Sequence, residues 1–124
     1  QDFPFDFLAD RSPETSMAER VRSQYAAALA RGVKLPTMSD LAARAETSAS
    51  TLQRALKDQG LNLQALKDGA RRKAAEALLR DPRYTVRDVA LKIGFRDLES
   101  FRTAFRRWTG DTPGAFRRRI ESRE

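Results

Sequence analysis

The stretch TMSDLAARA, at positions 37–45, recurs 48 positions later as TVRDVALKI, at positions 85–93. Both copies carry threonine first, aspartate fourth and alanine sixth. A threonine hydroxyl can accept a hydrogen bond from a free N–H group of a first helical turn, and an aspartate three residues later can reach back to the threonine N–H. The carboxylate also suits the positive end of the helix dipole. The repeat therefore predicts one short helix just after Thr37 and another just after Thr85.

Each copy is followed by a turn and then by a second helix. The second turn contains Gly94, for which a positive φ costs little. Ser48 and Asp97 are residue types that cap helices, and each precedes the next apolar periodic stretch. These features predict two helix-turn-helix units, at residues 37–60 and 85–110.

The spacing of apolar residues predicts an all-α fold of about seven helices. The predicted helices cover about residues 15–31, 38–44, 49–58, 63–79, 86–92, 98–108 and 113–120. The fourth, one of the two longest, lies in a linker region, residues 61–81, between the two units. A helix of about 17 residues is roughly 25 Å long. A helix of this length can hold the two units a fixed distance apart.

Residues 1–14 differ from the rest of the chain. Phe3, Phe5 and Phe7 alternate with acids and a proline, which is a strand-like period of two. Two interpretations stay open for this stretch: a linker or tail of a missing N-terminal domain, or a leader whose aromatic side chains dock on the nearest groove. Residues 15–124 form the predicted double helix-turn-helix domain.

The amino-acid composition narrows the classes of function that the chain can have. The chain has 124 residues, a net charge of +7 and 24 basic residues, of which 19 are arginine. An arginine-rich domain is typical of proteins that bind polyanions, because the guanidinium can form bidentate hydrogen bonds with phosphate and with guanine. Cysteine and histidine are both absent, which argues against a zinc site and excludes nucleophilic catalysis by either residue. No stretch is long and apolar enough to predict a membrane span, and no signal-peptide pattern is present.

A longer pattern covers the second half of the chain: a capped Asp-x-Ala helix, Gly-Phe, then two phenylalanines, glycine and proline. It reads Asp88-Val89-Ala90, Gly94-Phe95, Phe101, Phe105, Gly110 and Pro113. The first half matches at Leu41-Ala42, Ser48, Leu52, Arg54 and Gly60. With these motifs, roughly residues 20–120 resemble the DNA-binding domain of the AraC/XylS family of bacterial transcription regulators. The motifs Thr51–Arg54, Leu79–Pro82 and Phe105–Gly110 are similar to the branch that has an arabinose-binding-type N-terminal domain.

The resemblance implies sequence-specific binding of double-stranded DNA, at a promoter or operator, by a transcription activator or repressor. It implies RNA polymerase as a further partner, a cytoplasmic location at the bacterial nucleoid, and no cofactor or metal. We expect the chain by itself to be monomeric, and the full-length protein to dimerise through a missing N-terminal domain. No membrane partner is expected, because the apolar stripes are needed for the core.

Two other classes of function are weighed against this one. Some DNA-repair alkyl acceptors carry a domain of this kind, but their chemistry needs a cysteine, so we do not expect an enzyme. A helical protein-interaction module would need exposed apolar anchors on the second helix of each unit. The outward faces of those helices carry glutamine, arginine, serine and threonine instead.

The second helix of a helix-turn-helix unit lies in the major groove and its N-terminal side chains meet base edges. The candidate readers are the residues that face away from the predicted core: Ser50, Gln53 and Arg54 in the first unit, and Leu98, Glu99, Arg102 and Thr103 in the second. Glutamine pairs with adenine and arginine with guanine, while glutamate accepts from cytosine and apolar groups touch thymine methyls. Glu99 has the alternative role of orienting Arg102. A solvated polar face, common on any helix, is the alternative for the whole set.

Phosphate contacts position such a domain without specifying sequence. The candidates are the capping hydroxyls and four arginines: Thr37, Ser48, Thr85, Arg96, Arg106, Arg107 and Arg117. Arg96 stands where the family often has a small serine, so we expect Asp97 to cap the helix. Phe95, Trp108 and Phe116 are predicted to pack in the core, and Arg71 is predicted to form an internal salt bridge.

Overall fold

The computed structural model describes residues 13–123, with side chains from position 17 onward. Every regular element in that range is an α-helix, which confirms the predicted all-α class. Seven helices follow one another: α1 (Pro13–Arg31), α2 (Met38–Arg44), α3 (Ala49–Asp58), α4 (Leu63–Leu79), α5 (Val86–Lys92), α6 (Leu98–Thr109) and α7 (Pro113–Arg123). The predicted tail at 1–14 lies outside the described residues except for its last two, which are helical.

The helix boundaries differ from the prediction at three ends only. α1 begins at Pro13, two residues early, because proline fits a first turn: its nitrogen has no hydrogen to leave unpaired and its φ is already helical. α6 continues to Thr109, and Gly110 ends it with a φ of 83°. α7 continues to Arg123.

The repeated stretch forms the predicted capping box in both copies. In the first, the N–H of Asp40 donates to Thr37 Oγ1 (3.1 Å) and the N–H of Thr37 donates to Asp40 Oδ2 (3.0 Å). In the second, the N–H of Asp88 donates to Thr85 Oγ1 (3.0 Å) and the N–H of Thr85 donates to Asp88 Oδ2 (2.8 Å). Each box satisfies two backbone donors that a helix start would otherwise leave unpaired.

The first unit builds its own hydrophobic core. α1 supplies Tyr25, which is fully buried, together with Ala18 and Val21. The other members come from three helices: Leu41 and Ala42 of α2, Leu52 and Leu56 of α3, and Leu66 of α4. α1 packs along both α3 and α4, so the first helix completes a unit that the repeat alone would leave open.

The second core is aromatic and lies at the other end of α4. Phe101 and Phe105 are fully buried, with ring centroids 5.7 Å apart in an edge-to-face arrangement. The remaining members are Ala75, Leu79, Val89, Ala90 and Ile93, with Phe95, Trp108 and Phe116 packed against them. The core positions predicted for those three aromatic residues are therefore confirmed. α4 supplies residues to both cores and so joins the two units.

Candidate nucleic-acid interface

The polar face of α3 is open to solvent. Leu52 and Leu56 point into the first core, each 1% exposed. Ser50, Gln53 and Arg54 are exposed, as the sequence predicts. Ser48 caps the helix by accepting from the N–H of Thr51 (3.1 Å). The first turns of α3 therefore expose a mainly polar surface over the first core.

The corresponding face of α6 carries a charged pair. Glu99, Arg102 and Thr103 are exposed. A nitrogen of the Arg102 guanidinium lies 3.5 Å from Glu99 Oε1, and the two side chains are 52% and 80% exposed. The separation is compatible with the orienting role for Glu99, and, like other exposed i,i+3 pairs, this contact is weak.

Leu98 differs from the other candidate readers. The sequence places it on the outward face of α6, but the structure has it half-buried and packed against the second core. It is the first residue of the helix, directly after the cap Asp97. A wholly outward position for Leu98 is therefore wrong, and only part of its side chain is available to a ligand.

The two second helices are equivalent in register. Ser48 caps α3 and Asp97 caps α6, where the N–H of Ser100 donates to Asp97 Oδ1 (2.8 Å). The expectation that Asp97, rather than the residue at position 96, caps α6 is confirmed. Counted from these caps, Gln53 and Arg102 occupy the same position of their helices. The separation in sequence between the two caps is one residue greater than the separation between Thr37 and Thr85. The turn of the second unit is therefore one residue longer than the turn of the first.

The cap carboxylates are held in their charged form. Hydrogen bonds from Ser100 lower the pKa of Asp97 below its ordinary value of 3.8, and the nearby Arg96 acts in the same direction. Hydrogen bonds from Thr37 and Thr85 lower the pKa of Asp40 and Asp88 likewise. These carboxylates therefore stay ionised at neutral pH and stabilise the helix starts.

The capping hydroxyls are not equally free to donate. Thr37 and Thr85 are exposed and use their oxygens as acceptors, so each hydroxyl hydrogen is left for an outside acceptor. Ser48 Oγ instead lies 2.9 Å from Thr51 Oγ1 and donates to it. Of the three hydroxyls, those of Thr37 and Thr85 are the better placed for a phosphate.

The four candidate arginines divide into two groups. Arg96, Arg106 and Arg107 are exposed. Arg107 lies 4.0 Å from Asp68 Oδ2, with its side chain 62% exposed, which is a loose surface contact. These three guanidiniums remain available to a polyanion.

Arg117 has an internal role that the sequence did not predict. Its Nε donates to the carbonyl of Leu79 (2.9 Å) and another guanidinium nitrogen donates to the carbonyl of Asp81 (3.3 Å). It thus caps the C-terminus of α4 with a cation, where the helix dipole favours one. We therefore remove Arg117 from the candidate phosphate contacts. The sequence feature that could have indicated this internal role is the position of Arg117, one residue after Phe116 on the inner face of α7.

Arg71 is also placed differently from the prediction. The described residues give it no ion pair; its guanidinium lies 5.8 Å from the centroid of the Phe95 ring. Trp108 packs on the same ring, with centroids 6.0 Å apart. A neighbouring arginine, Arg72, donates to the carbonyl of Trp108 (2.9 Å) and so ties α4 to the end of α6. These contacts fix α6 against the linker helix.

Metal-ligand clusters and membrane-spanning helices are both absent from the part of the chain that the structure describes. No three carboxylate, cysteine or histidine side chains gather there as metal ligands. None of the described helices is both long and apolar enough to cross a membrane.

Comparison with known proteins agrees with the fold. A protein-family profile described as a helix-turn-helix domain matches residues 41–119. The ornithine utilization regulator of Pseudomonas aeruginosa is 33% identical over 110 residues, covering 89% of this chain and 32% of that protein. An uncharacterised HTH-type transcriptional regulator of Mycobacterium tuberculosis is 36% identical over 84 residues, covering 68% of this chain and 24% of that protein.

A solved structure extends the comparison to DNA. The DNA-binding domain of AdpA, a global transcriptional factor crystallised in complex with a target DNA, aligns with a TM-score of 0.66 and 33% identity. The alignment covers 85% of this chain and 96% of that one. The chain belongs to the AraC/XylS family of helix-turn-helix transcription regulators and is a DNA-binding domain of that family. It spans about a quarter to a third of the length of the curated relatives named above.

Proposed function

We propose that this domain binds double-stranded DNA sequence-specifically by placing α3 and α6 in two successive segments of the major groove. The observation that carries the proposal is the equivalence of the two helices. Each is capped, each buries two large apolar residues against its own core, and each exposes a polar face from its first turn. Such a helix fits the major groove, and its N-terminal residues reach base edges.

The first unit reads bases through uncharged and basic side chains. Gln53 pairs with adenine and Arg54 with guanine, while Ser50 donates to or accepts from either base. Gln53 and Arg54 have no internal hydrogen bond or ion pair among the described residues, so neither side chain has to give up a protein partner.

The second unit reads bases through Arg102, which pairs with guanine. Glu99 holds the Arg102 guanidinium along α6, as their 3.5 Å separation supports. The methyl group of Thr103 and the exposed part of Leu98 contact thymine methyls. The two units thus use different chemistry and distinguish different sequences.

Phosphates are bound by the helix starts and by the exposed arginines. Thr37, Ser48 and Thr85 lie at N-termini, where backbone N–H groups and the dipole favour an anion. Arg96, Arg106 and Arg107 add positive charge around the second unit. The net charge of +7 supports a large, salt-sensitive electrostatic share in the affinity.

In the whole protein the domain serves transcription control. We infer that it recruits or contacts RNA polymerase at a promoter, in the bacterial cytoplasm, as an activator or a repressor. Dimerisation, where it occurs, is assigned to the part of the protein outside this chain. The ornithine utilization regulator has room for such a part, since this chain covers 32% of its length.

Selection of bound duplexes from a random pool tests the proposal. We expect two blocks of preferred bases whose centres are about 10–10.5 base pairs apart. Gln53→Ala is expected to relax one position in one block and Arg102→Ala one position in the other, each with a loss of about 1–3 kcal/mol on the selected DNA. A single block, or equal losses by both variants on selected and random DNA, would show that these residues do not read two segments.

A further inference from the structure

An apolar groove runs along the surface between α1 and α4, and none of the candidate DNA contacts lines it. Its volume is about 650 Å³, which lies in the range of specific binding sites. Leucines and small residues form it, among them Ala26, Leu29 and Ala30 of α1, and Ala65, Gly69 and Leu78 of α4. The small side chains leave room for larger ones from an occupant. We refer to this feature as the α1–α4 groove.

The charge around the α1–α4 groove has one sign. Arg22, Lys73 and Lys92 line it, and the described lining residues include no acid. Arg22 lies 3.6 Å from Glu19 in an exposed pair, and the Lys92 ammonium lies 5.6 Å from the Tyr84 ring centroid. Both contacts are weak enough to leave the cations to an acidic occupant.

The chain itself contains a segment with the matching chemistry. Between Asp2 and Asp10 the sequence reads DFPFDFLAD, with three phenylalanines, a leucine and three acids, and no base. In an extended conformation Phe3, Phe5 and Phe7 project from the same side, because side chains alternate. We propose that Asp2–Asp10 binds in the α1–α4 groove, with the phenylalanines on its apolar floor and the aspartates near its three cations.

The length of the connection fits this placement. α1 begins at Pro13 and itself forms one wall of the groove. The helix from position 13 to Arg22 is about 14 Å long, and to Ala30 about 25 Å. An extended chain at about 3.3 Å per residue puts Phe7 at up to roughly 20 Å, and Phe3 at up to roughly 33 Å, from Pro13. After reversing direction, the phenylalanines come alongside the stretch of α1 that lines the groove.

Because the segment Asp2–Asp10 is covalently joined to the domain, weak individual contacts are sufficient for it to bind the groove. A segment joined to its site by a short linker has an effective concentration of the order of millimolar. Each phenylalanine transferred from water contributes about 1.5–3 kcal/mol when fully buried. The aspartates add orientation and make the binding sensitive to salt.

A spin label tests the proposal on the full chain, because the sequence has no cysteine and Gln1→Cys provides a single attachment point. We expect the label to broaden the amide NMR signals of Ala30 and Ala77, at the far end of the groove. The broadening should be lost when Phe3, Phe5 and Phe7 are all replaced by serine. It should also weaken with added salt.

Two neighbouring alanines provide a matched control. Ala26 and Ala27 are both exposed on α1, but only Ala26 lines the groove. Ala26→Leu fills the groove and should abolish the broadening, whereas Ala27→Leu should preserve it. Equal broadening in the two leucine variants, or none in the labelled Gln1→Cys chain without further substitution, would overturn the proposal. Broadening that grows with protein concentration would also overturn it, by showing that the segment binds a second copy.

Discussion

At the residue scale, the turns of the two helix-turn-helix units each contain one residue with a left-handed backbone, but the residue type differs between the units. Gly94 has a φ of 98° in the second turn, and Glu46, at the equivalent position 48 residues earlier, has a φ of 56°. A left-handed backbone suits glycine because it has no Cβ, and costs other L-residues about 1–2 kcal/mol. The first unit therefore carries local strain that the second does not.

Glu46→Gly is expected to stabilise the domain by about 0.5–1 kcal/mol. The substitution relieves the left-handed strain, and the greater entropy of glycine in the unfolded chain offsets part of that gain. Urea unfolding at neutral pH measures the change. The control is Ala43→Gly, an exposed position within α2, which should destabilise by about 1 kcal/mol. Destabilisation by both substitutions would contradict the strain at Glu46.

Asp97 links the helix cap to pH. Its pKa is lowered in the folded state by hydrogen bonds from Ser100, so its contribution is present above the unfolded pKa and is lost as pH falls through the folded pKa. Asn caps helices about as well but does not titrate. We expect Asp97→Asn to have near-normal stability at pH 7 and a smaller loss of stability than the unsubstituted chain between pH 4 and pH 2, by urea unfolding. An identical loss in both proteins would show that the cap carboxylate is not responsible.

At the element scale, arginine has two separate uses. Arg117 is committed to the carbonyl groups that follow α4, while Arg106 is exposed on α6 with no internal partner among the described residues. Charge alone does not separate them, since both are arginines next to an apolar helical face. Only the packing of α7 on α4 brings Arg117 to the end of the linker helix.

Replacing Arg117 and replacing Arg106 by alanine are expected to have different effects on stability and on the salt dependence of DNA binding. Arg117→Ala should lower the free energy of unfolding by about 1–3 kcal/mol, because it removes hydrogen bonds from a charged donor, and should leave the salt dependence of DNA binding unchanged. Arg106→Ala should leave stability within about 0.5 kcal/mol and reduce the slope of log K against log salt by about 0.9. A reduced slope for Arg117→Ala would return it to the phosphate contacts.

The elements themselves were largely predictable because their signals are local. Thr37, Thr85 and Asp97 mark helix starts through bonds that span three residues. Features that depend on distant parts of the chain were not predictable in this way. Leu98 is half-buried because the second core reaches it, and Arg71 lies over Phe95 rather than beside an acid.

At the scale of the whole molecule, α1 and α4 unite two small cores. Tyr25 of α1 belongs to the first core, and Leu29, one turn later, packs against the second. α4 contributes Leu66 to the first core and Leu79 to the second. α3 and α6 are therefore held by a shared frame rather than by a flexible connection.

We expect the isolated chain to be monomeric at micromolar concentration. The large apolar side chains of the described residues are mostly used by the two cores, and only Val33 and Leu91 among them are strongly exposed, at 49% and 52%. Sedimentation equilibrium measures the mass. A stable dimer that survives replacement of Phe3, Phe5 and Phe7 by serine would contradict this expectation.

The measurement that tests the central claim most directly is protection of guanine N7 from methylation on the selected duplex, combined with affinity for a duplex carrying five extra base pairs between the two blocks. Two protected major-groove segments about one turn, ~34 Å, apart are expected on the first duplex. The insertion turns one block by about half a turn, to the opposite face of the DNA, so only one block should stay protected and the affinity should fall to that for a single block. One protected segment on the original duplex, or an affinity that the insertion leaves unchanged, would contradict reading by two rigidly joined helices.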